Sequence, residues 1–215
     1  MLHDGGDETT GSLPAPSPET LLRAWRILPP VLRGRGAVLR EVEPPDAGPL
    51  LSLLTHDEIS RLIAPGSVPG NLDDVARHIE VARAERSDGR SLCLICASES
   101  SPAPAGVFRI SRLELQGGSA EWQFVLAPEH WGRGLFFAAA PLVIDFVFDI
   151  LGMHRLEARA AAHNGRAAGA LRKLGAVPEA VLRDALSQKG GWADQTLWTI
   201  IADDWRARTG RKDVH

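Results

Sequence analysis

An α+β fold is predicted for this chain by three observations. Short apolar runs bounded by Gly, Ser and Pro follow one another between residues 92 and 126; a long segment after Gly134 repeats its apolar residues at helical spacing; and a further strand pattern follows that segment. Helices set around a strand meander, rather than alternating strictly with strands, make a mixed, mostly antiparallel sheet flanked by helices. At 215 residues with 44% hydrophobic content, the chain has enough apolar material for one full core and is short for two. The expected organisation is a disordered tail over 1–17, an extra helix over 18–30, one domain over 31–208 and a tail over 209–215.

The elements follow in order. Residues 1–17 are rich in Gly, Ser, Thr, Pro and acids and lack periodicity, so they bury too little to order themselves. Ser17-Pro18-Glu19 opens a short helix on which Leu21, Leu22 and Trp25 share a face, and Pro29-Pro30 closes it. Gly34-Arg35-Gly36 precedes a strand and reads as a turn, and Ala37–Val42 as that strand. Pro44-Pro45-Asp46 introduces a helix with Leu50, Leu51, Leu53 and Leu54 on its apolar side. Residues 55–71 read as loop, and Asn71 as the N-cap of a helix reaching about Arg86, with Leu72, Val75, Ile79 and Ala82 at helical spacing. Strands are expected over Leu92–Ala97, Gly106–Leu113 and Ala120–Leu126. The main helix spans Gly134–Leu151, with Gly152 as a left-handed cap and Pro141 as an internal kink near Phe137. A strand over His154–Ala161, a short helix over Ala167–Lys173 stopped by Gly175, and a last strand over Gln195–Ala202 complete the reading.

Composition narrows the function. A formal charge of −3 and a pI near 6.2 do not supply the basic surface that general nucleic-acid binding needs. Met1–Gly11 carries no apolar h-region, and no run approaches the ~18 apolar residues of a membrane span, so a soluble, cytoplasmic protein without membrane association is expected. Cys93 and Cys96 lie three apart in an apolar strand, hence on opposite faces, and read as buried thiols. His130, His154 and His163 have no companion ligand at useful spacing, and no metal is expected.

The segment Pro128-Glu129-His130-Trp131-Gly132-Arg133-Gly134 joins a strand to the main helix. Two glycines let the backbone turn tightly with N–H groups pointing inward, and the helix adds unsatisfied N–H groups and its positive end. Such a turn suits a phosphate; an ordinary strand-to-helix turn is the competing reading. A P-loop would need Gly-Lys-Ser/Thr here, and a dinucleotide fingerprint a third glycine where Phe137 stands.

The run Ala120-Glu121-Trp122-Gln123-Phe124-Val125-Leu126, then Pro128, Trp131-Gly132-Arg133-Gly134, Leu151-Gly152-Met153-His154-Arg155-Leu156-Glu157, and Asn164 through Leu174-Gly175, resembles the GNAT superfamily. It is most similar to the branch holding the ribosomal-protein-alanine N-acetyltransferases, over about Val38 to Trp205. The resemblance implies a sheet with a splayed pair of central strands and acetyl-CoA as co-substrate. Pantetheine would lie against Phe124, Val125 and Leu126, and the pyrophosphate on Trp131, Gly132, Arg133, Gly134, Leu135 and Phe136. Asn164 matches an asparagine beside the pantetheine arm, and also reads as a helix cap. The implied activity is acetyl transfer to a primary amine, on a protein N-terminus or a small molecule, by direct attack in a ternary complex. A non-catalytic acyl-CoA-binding module is the alternative.

Glu121 matches a glutamate that many relatives place near the acceptor amine and is the candidate base; a solvated strand residue is its other reading. The tyrosine that serves as general acid in many relatives is matched by Leu171, and the chain contains no Tyr. Ala167 and Ala138 also replace a serine and an acid usual in the family. A CoA thiolate, with a conjugate acid near a thiol's ~8.5, can be protonated by water. Arg172 and Lys173 are candidates for the CoA 3'-phosphate or surface charges. Homodimers are common among the relatives, and Trp25 serves an interface or packs in cis.

Overall fold

The computed structural model describes residues 24–114, 118–188 and 190–210. The tail expected over 1–17, the first part of the helix expected over 18–30 and the last residues of the chain lie outside them. A helical turn at 24–27 (α1) is followed by β1 (Leu32–Gly34) and β2 (Ala37–Glu41), which form a hairpin across the expected turn, with Arg35 and Gly36 at φ 58° and 86°. Next come α2 (Ala47–Thr55), α3 (Asp57–Ser60), α4 (Leu72–Ser87) and the meander β3 (Leu92–Ser98), β4 (Ser101–Glu114) and β5 (Ser119–Leu126). The Asn71 side chain accepts from the Asp74 N–H at 2.9 Å, so it caps α4 as expected.

The main helix begins as α5 (Leu135–Asp145) and widens into a π-helix over Phe146–Ile150, closed by a Leu151 N–H to Phe146 carbonyl bond of 3.0 Å. One α-helix was expected to continue to Leu151. The wide turn instead follows Asp145, where Phe146, Val147 and Phe148 are all buried. Gly152, at φ 68°, ends the segment as expected. β6 (Arg155–Ala161), α6 (Gly165–Leu174), β7 (Val177–Gln188), β8 (Gly191–Ile201) and α7 (Ala202–Thr209) follow. Gly175 caps α6 at φ 96°.

Other features also depart from the sequence expectation, among them α7, which follows the last expected strand. β7 was not foreseen because it is an edge strand exposed along almost its whole length and carries no alternation of apolar residues. β8 starts at Gly191 rather than Gln195, since its first residues pair only with β7. Residues 55–71 contain α3 and a 3-10 turn at Pro65–Ser67, both too short to leave a periodic signature.

All eight strands among the described residues form one sheet in the order β1-β2-β3-β4-β5-β6-β8-β7, antiparallel except for β5 beside β6. The larger core lies on one face, where α5, α6 and α7 pack through Ala139, Val143, Leu171, Leu174 and Trp205 against Leu94, Phe108, Trp122 and Trp198. On the opposite face α2 and α4 bury Leu50, Leu53, Val75 and Ile79 against Ile95 and Val107. Trp25 is 3% exposed in the larger core, and the Arg86 guanidinium donates to the carbonyls of Trp25 and Arg26 while its Nε meets Glu41, so the N-terminal segment packs in cis.

Candidate active site

β5 and β6 are paired only from Ser119↔Arg155 to Trp122↔Ala158. Beyond that rung β5 continues to Leu126 bonded to β4, and β6 continues to Ala161 bonded to β8, yet the two are no longer bonded to each other. Two strands that part in mid-sheet no longer share hydrogen bonds along 123–126 and 159–161, and such a parting offers the backbone edge that an extended amide-bearing chain needs. The expected splay is therefore present, and Phe124, Val125 and Leu126 line its β5 side. Gly106 on β4 lets the sheet close behind them: a side chain there would collide with the Val125 carbonyl and with Leu126.

The slot leads to the glycine turn. Gly132 and Gly134 have φ of 72° and 86°, conformations that other residues adopt at a cost, and a β-carbon on either would meet nothing within 4 Å. Backbone geometry rather than crowding thus calls for glycine, and the concave side stays open. Gly134 caps α5 without a side-chain hydrogen bond, and the first helical bond runs from the Ala138 N–H to the Gly134 carbonyl at 3.0 Å. The N–H groups of Leu135, Phe136 and Phe137 therefore face the helix end, where the dipole favours an anion. Trp131 is folded back over the end of β5 by a 2.8 Å bond from its Nε1 to the Leu126 carbonyl. The Arg166 guanidinium lies 3.5 Å from the centre of the Trp131 ring, and the Lys173 ammonium 5.8 Å from that of Phe137. With exposed Arg133, these place cationic charge around the turn. Open slot, free amides and surrounding cations fit an acyl-CoA, whose thioester supplies the activated acetyl group.

Phe124 and Trp122 pack into the core. Their rings are 5.2 Å apart, Phe124 is 4.6 Å from Phe136, and Trp122 is 1% exposed. Aromatic packing thus ties the strand that flanks the slot to the helix that carries the cradle. Asn164 acts as the cap of α6, its side-chain oxygen accepting from the Ala167 N–H at 3.0 Å. Leu171 is fully buried in the core, so nothing at that position offers a proton. Asp145 and Asp149 serve α7: Asp145 accepts from Trp205 Nε1 at 2.8 Å, and Asp149 meets Arg206 at 3.4 Å. Burial pushes the thiols of Cys93 and Cys96 up to about 12, which leaves both unreactive at neutral pH.

Glu121 points to the opposite face from Trp122. It is 5% exposed, and its Oε2 makes no hydrogen bond among the described residues, with Arg112 Nε at 3.3 Å and Arg159 Nε at 3.9 Å. Together with Ser119, Ala120 and Glu157 these residues line a cleft of about 270 Å³. A break in register between Ser111 and Glu114 puts Arg112 at φ 51°, and that irregularity brings its side chain to Glu121. Neither Arg112 nor Arg159 was singled out from sequence. The period-two charges Arg155, Glu157 and Arg159 on one face of β6 were a readable signal; the bulge that delivers Arg112 was not. Glu157 is engaged by Arg155 at 2.8 Å, and Arg155 also grips Glu179 through bonds of 3.0 and 2.6 Å.

The family model for the acetyltransferase (GNAT) domain matches residues 37–177. The N-acetyltransferase YoaA of Bacillus subtilis is 23% identical over 172 residues, which cover 80% of this chain and 97% of YoaA. The ribosomal protein uS5-alanine N-acetyltransferase of Escherichia coli is 32% identical over a shorter stretch of 74 residues, 34% of this chain and 38% of that one. Among solved structures, RimJ of Mycobacterium smegmatis in complex with CoA-disulfide superposes with a TM-score of 0.73 at 22% identity, covering 85% of this chain and 94% of RimJ. These findings favour an enzyme over a non-catalytic binding module, and no helix among the described residues is long and apolar enough to cross a membrane. With its splayed strands, its glycine cradle and a family match over most of its length, the chain belongs to the GNAT acetyltransferase family and is an acetyl-CoA-dependent N-acetyltransferase.

Proposed function

We propose that the chain acetylates a primary amine, on a small molecule or a protein N-terminus, by direct attack within a ternary complex, with Glu121 as the base. The observation that carries this reading is the Glu121 Oε2 atom, which is buried, unbonded among the described residues and lines a cleft one residue before the last β5–β6 rung. An amine entering the cleft meets a carboxylate oxygen with lone pairs to spare, next to the point where the slot opens. Glu121 would take the proton that the nitrogen sheds as the new C–N bond forms and the C–S bond breaks. A backbone N–H near Val125 or Leu126 would donate to the thioester oxygen. Phe124, Val125 and Leu126 would hold the pantetheine arm, and the turn from Trp131 to Phe136 the pyrophosphate. The capping bond supports Asn164 in ordering the start of α6 beside the slot.

The test pairs acetyl-CoA titration with amine-dependent thiol release. Acetyl-CoA should bind the wild type and Glu121→Gln alike, while kcat in the variant falls by roughly 10²–10⁴-fold, the usual contribution of a positioned base. An unchanged kcat would remove Glu121 from the reaction.

A further inference from the structure

The acceptor cleft holds two buried polar atoms that the described residues leave unbonded, and they are of opposite kind. Glu121 Oε2 can only accept and Arg159 Nε can only donate; they stand 3.9 Å apart, too far to satisfy each other. The charges around them are matched. Glu157 is taken by Arg155, which is itself held on its other side by Glu179 and Thr199. The cleft is lined by two carboxylates, Glu121 and Glu157, and two guanidinium groups, Arg112 and Arg159, with Glu121 lying between the two arginines. An unbonded acceptor beside an unbonded donor suits a ligand that brings a nitrogen and an anion together, and a guanidinium suits a carboxylate in particular because its N–H groups match the spacing of the two oxygens. The volume, about 270 Å³, sits at the lower edge of the roughly 300–1,000 Å³ of small-molecule sites, so a small acceptor or only the end of a larger one enters.

We propose that the preferred acceptor is a primary amine bearing a carboxylate close to the amine, with the nitrogen on Glu121 and the carboxylate on Arg159, assisted by Arg112. This rests on the reading that Glu121 faces the acceptor nitrogen. A free amino acid and a peptide N-terminus followed by an acidic residue share the required chemistry. A polyamine does not: its further ammonium groups would meet two arginines.

The experiment uses the full chain saturated with acetyl-CoA and two matched pairs, alanine against alaninamide, and the amidated tripeptides Ala-Asp-Ala against Ala-Asn-Ala, with spermidine as a fifth probe. Binding is read calorimetrically with CoA in place of acetyl-CoA, and turnover by thiol release. The carboxylate-bearing member of at least one pair should be favoured by about tenfold or more, the size of one charge-assisted hydrogen bond. The pair that discriminates identifies the source, free amino acid or peptide. Arg159→Gln should collapse that ratio toward unity, and Arg159→Lys should restore part of it, which a merely structural role for Arg159 would not produce. Equal use of both members, a preference for the amides or spermidine, or failure of all five probes to bind a protein that binds CoA would each overturn the proposal. Failure of acetyl-CoA itself to bind would overturn the proposed function, and this inference with it.

Discussion

The proposed cofactor slot and the proposed acceptor cleft adjoin one another on β5 and are built from different materials. The slot is made of backbone: the stretches 123–126 and 159–161 where β5 and β6 no longer bond to each other, two left-handed glycines and the end of α5. The cleft is made of side chains, Glu121, Arg112 and Arg159, contributed by three strands. Backbone recognition tolerates wide variation in side chains, provided the turn and the splay survive. Side-chain recognition does not, because moving one charge changes which ligand fits. A family sharing one co-substrate and differing in acceptors has reason to divide its site this way.

Gly134→Glu should break the cofactor side hardest. A carboxylate at the anion-binding helix end, on a residue at φ 86°, should weaken acetyl-CoA binding by about 100-fold or more, equivalent to ~2.7 kcal/mol or more. Gly134→Ala separates the causes: it carries the left-handed strain of roughly 1–2 kcal/mol without the charge. Calorimetric titration of both, beside their melting temperatures, decides whether charge or strain governs the cradle; equal losses would put the effect on strain.

Trp131→Phe removes the bond to the Leu126 carbonyl while keeping an aromatic face for Arg166. A loss of ~0.5–1.5 kcal/mol in stability is expected, read by denaturant unfolding, with a several-fold weaker acetyl-CoA affinity. Arg166→Ala should cost less stability, about 0.5–1 kcal/mol for an exposed cation–π contact. If Arg166→Ala weakens acetyl-CoA binding more than Trp131→Phe, the guanidinium contributes to the cofactor directly rather than by steadying the indole.

The smallest effect lies away from both regions. The Ser91 hydroxyl first, and then the Arg109 guanidinium, hold the Glu85 carboxyl below the usual carboxylate range. A carboxyl lowered in the folded state stabilises above its unfolded value, and that contribution disappears as pH falls through the folded value. Thermal melts of Glu85→Gln should therefore lie below the wild type at neutral pH and converge with it in acid. A difference that persists unchanged in acid would show that packing, not charge, is what Glu85 provides.

The contrast between the regions also explains what could be read from residues. The helices that turn an apolar face to the sheet, the three-strand meander and the capping glycines were legible because hydrophobic period and left-handed backbone leave local signatures in Leu, Val, Ile and Gly. β7 and α7 were not. β7 buries little beyond Leu186, and α7 rests on Ala202 and Trp205. Within the site, Trp131-Gly132-Arg133-Gly134 was visible because its turn requires particular residues at particular places. Arg112 was invisible, because its position depends on a register break between two strands.

By itself the sequence determined the α+β class, the order of most elements, the glycine turn and the burial of Cys96, while Cys93 is only partly buried. All of these follow from interactions within a few residues or from the simple rule that apolar periodicity faces a core. Only the tertiary structure decided that β5 and β6 part after Trp122 and Ala158, that Asp145 and Asp149 serve α7, and that Glu121 lies between two arginines from neighbouring strands. Those facts depend on register and on contacts between residues far apart in the chain, which no local pattern encodes.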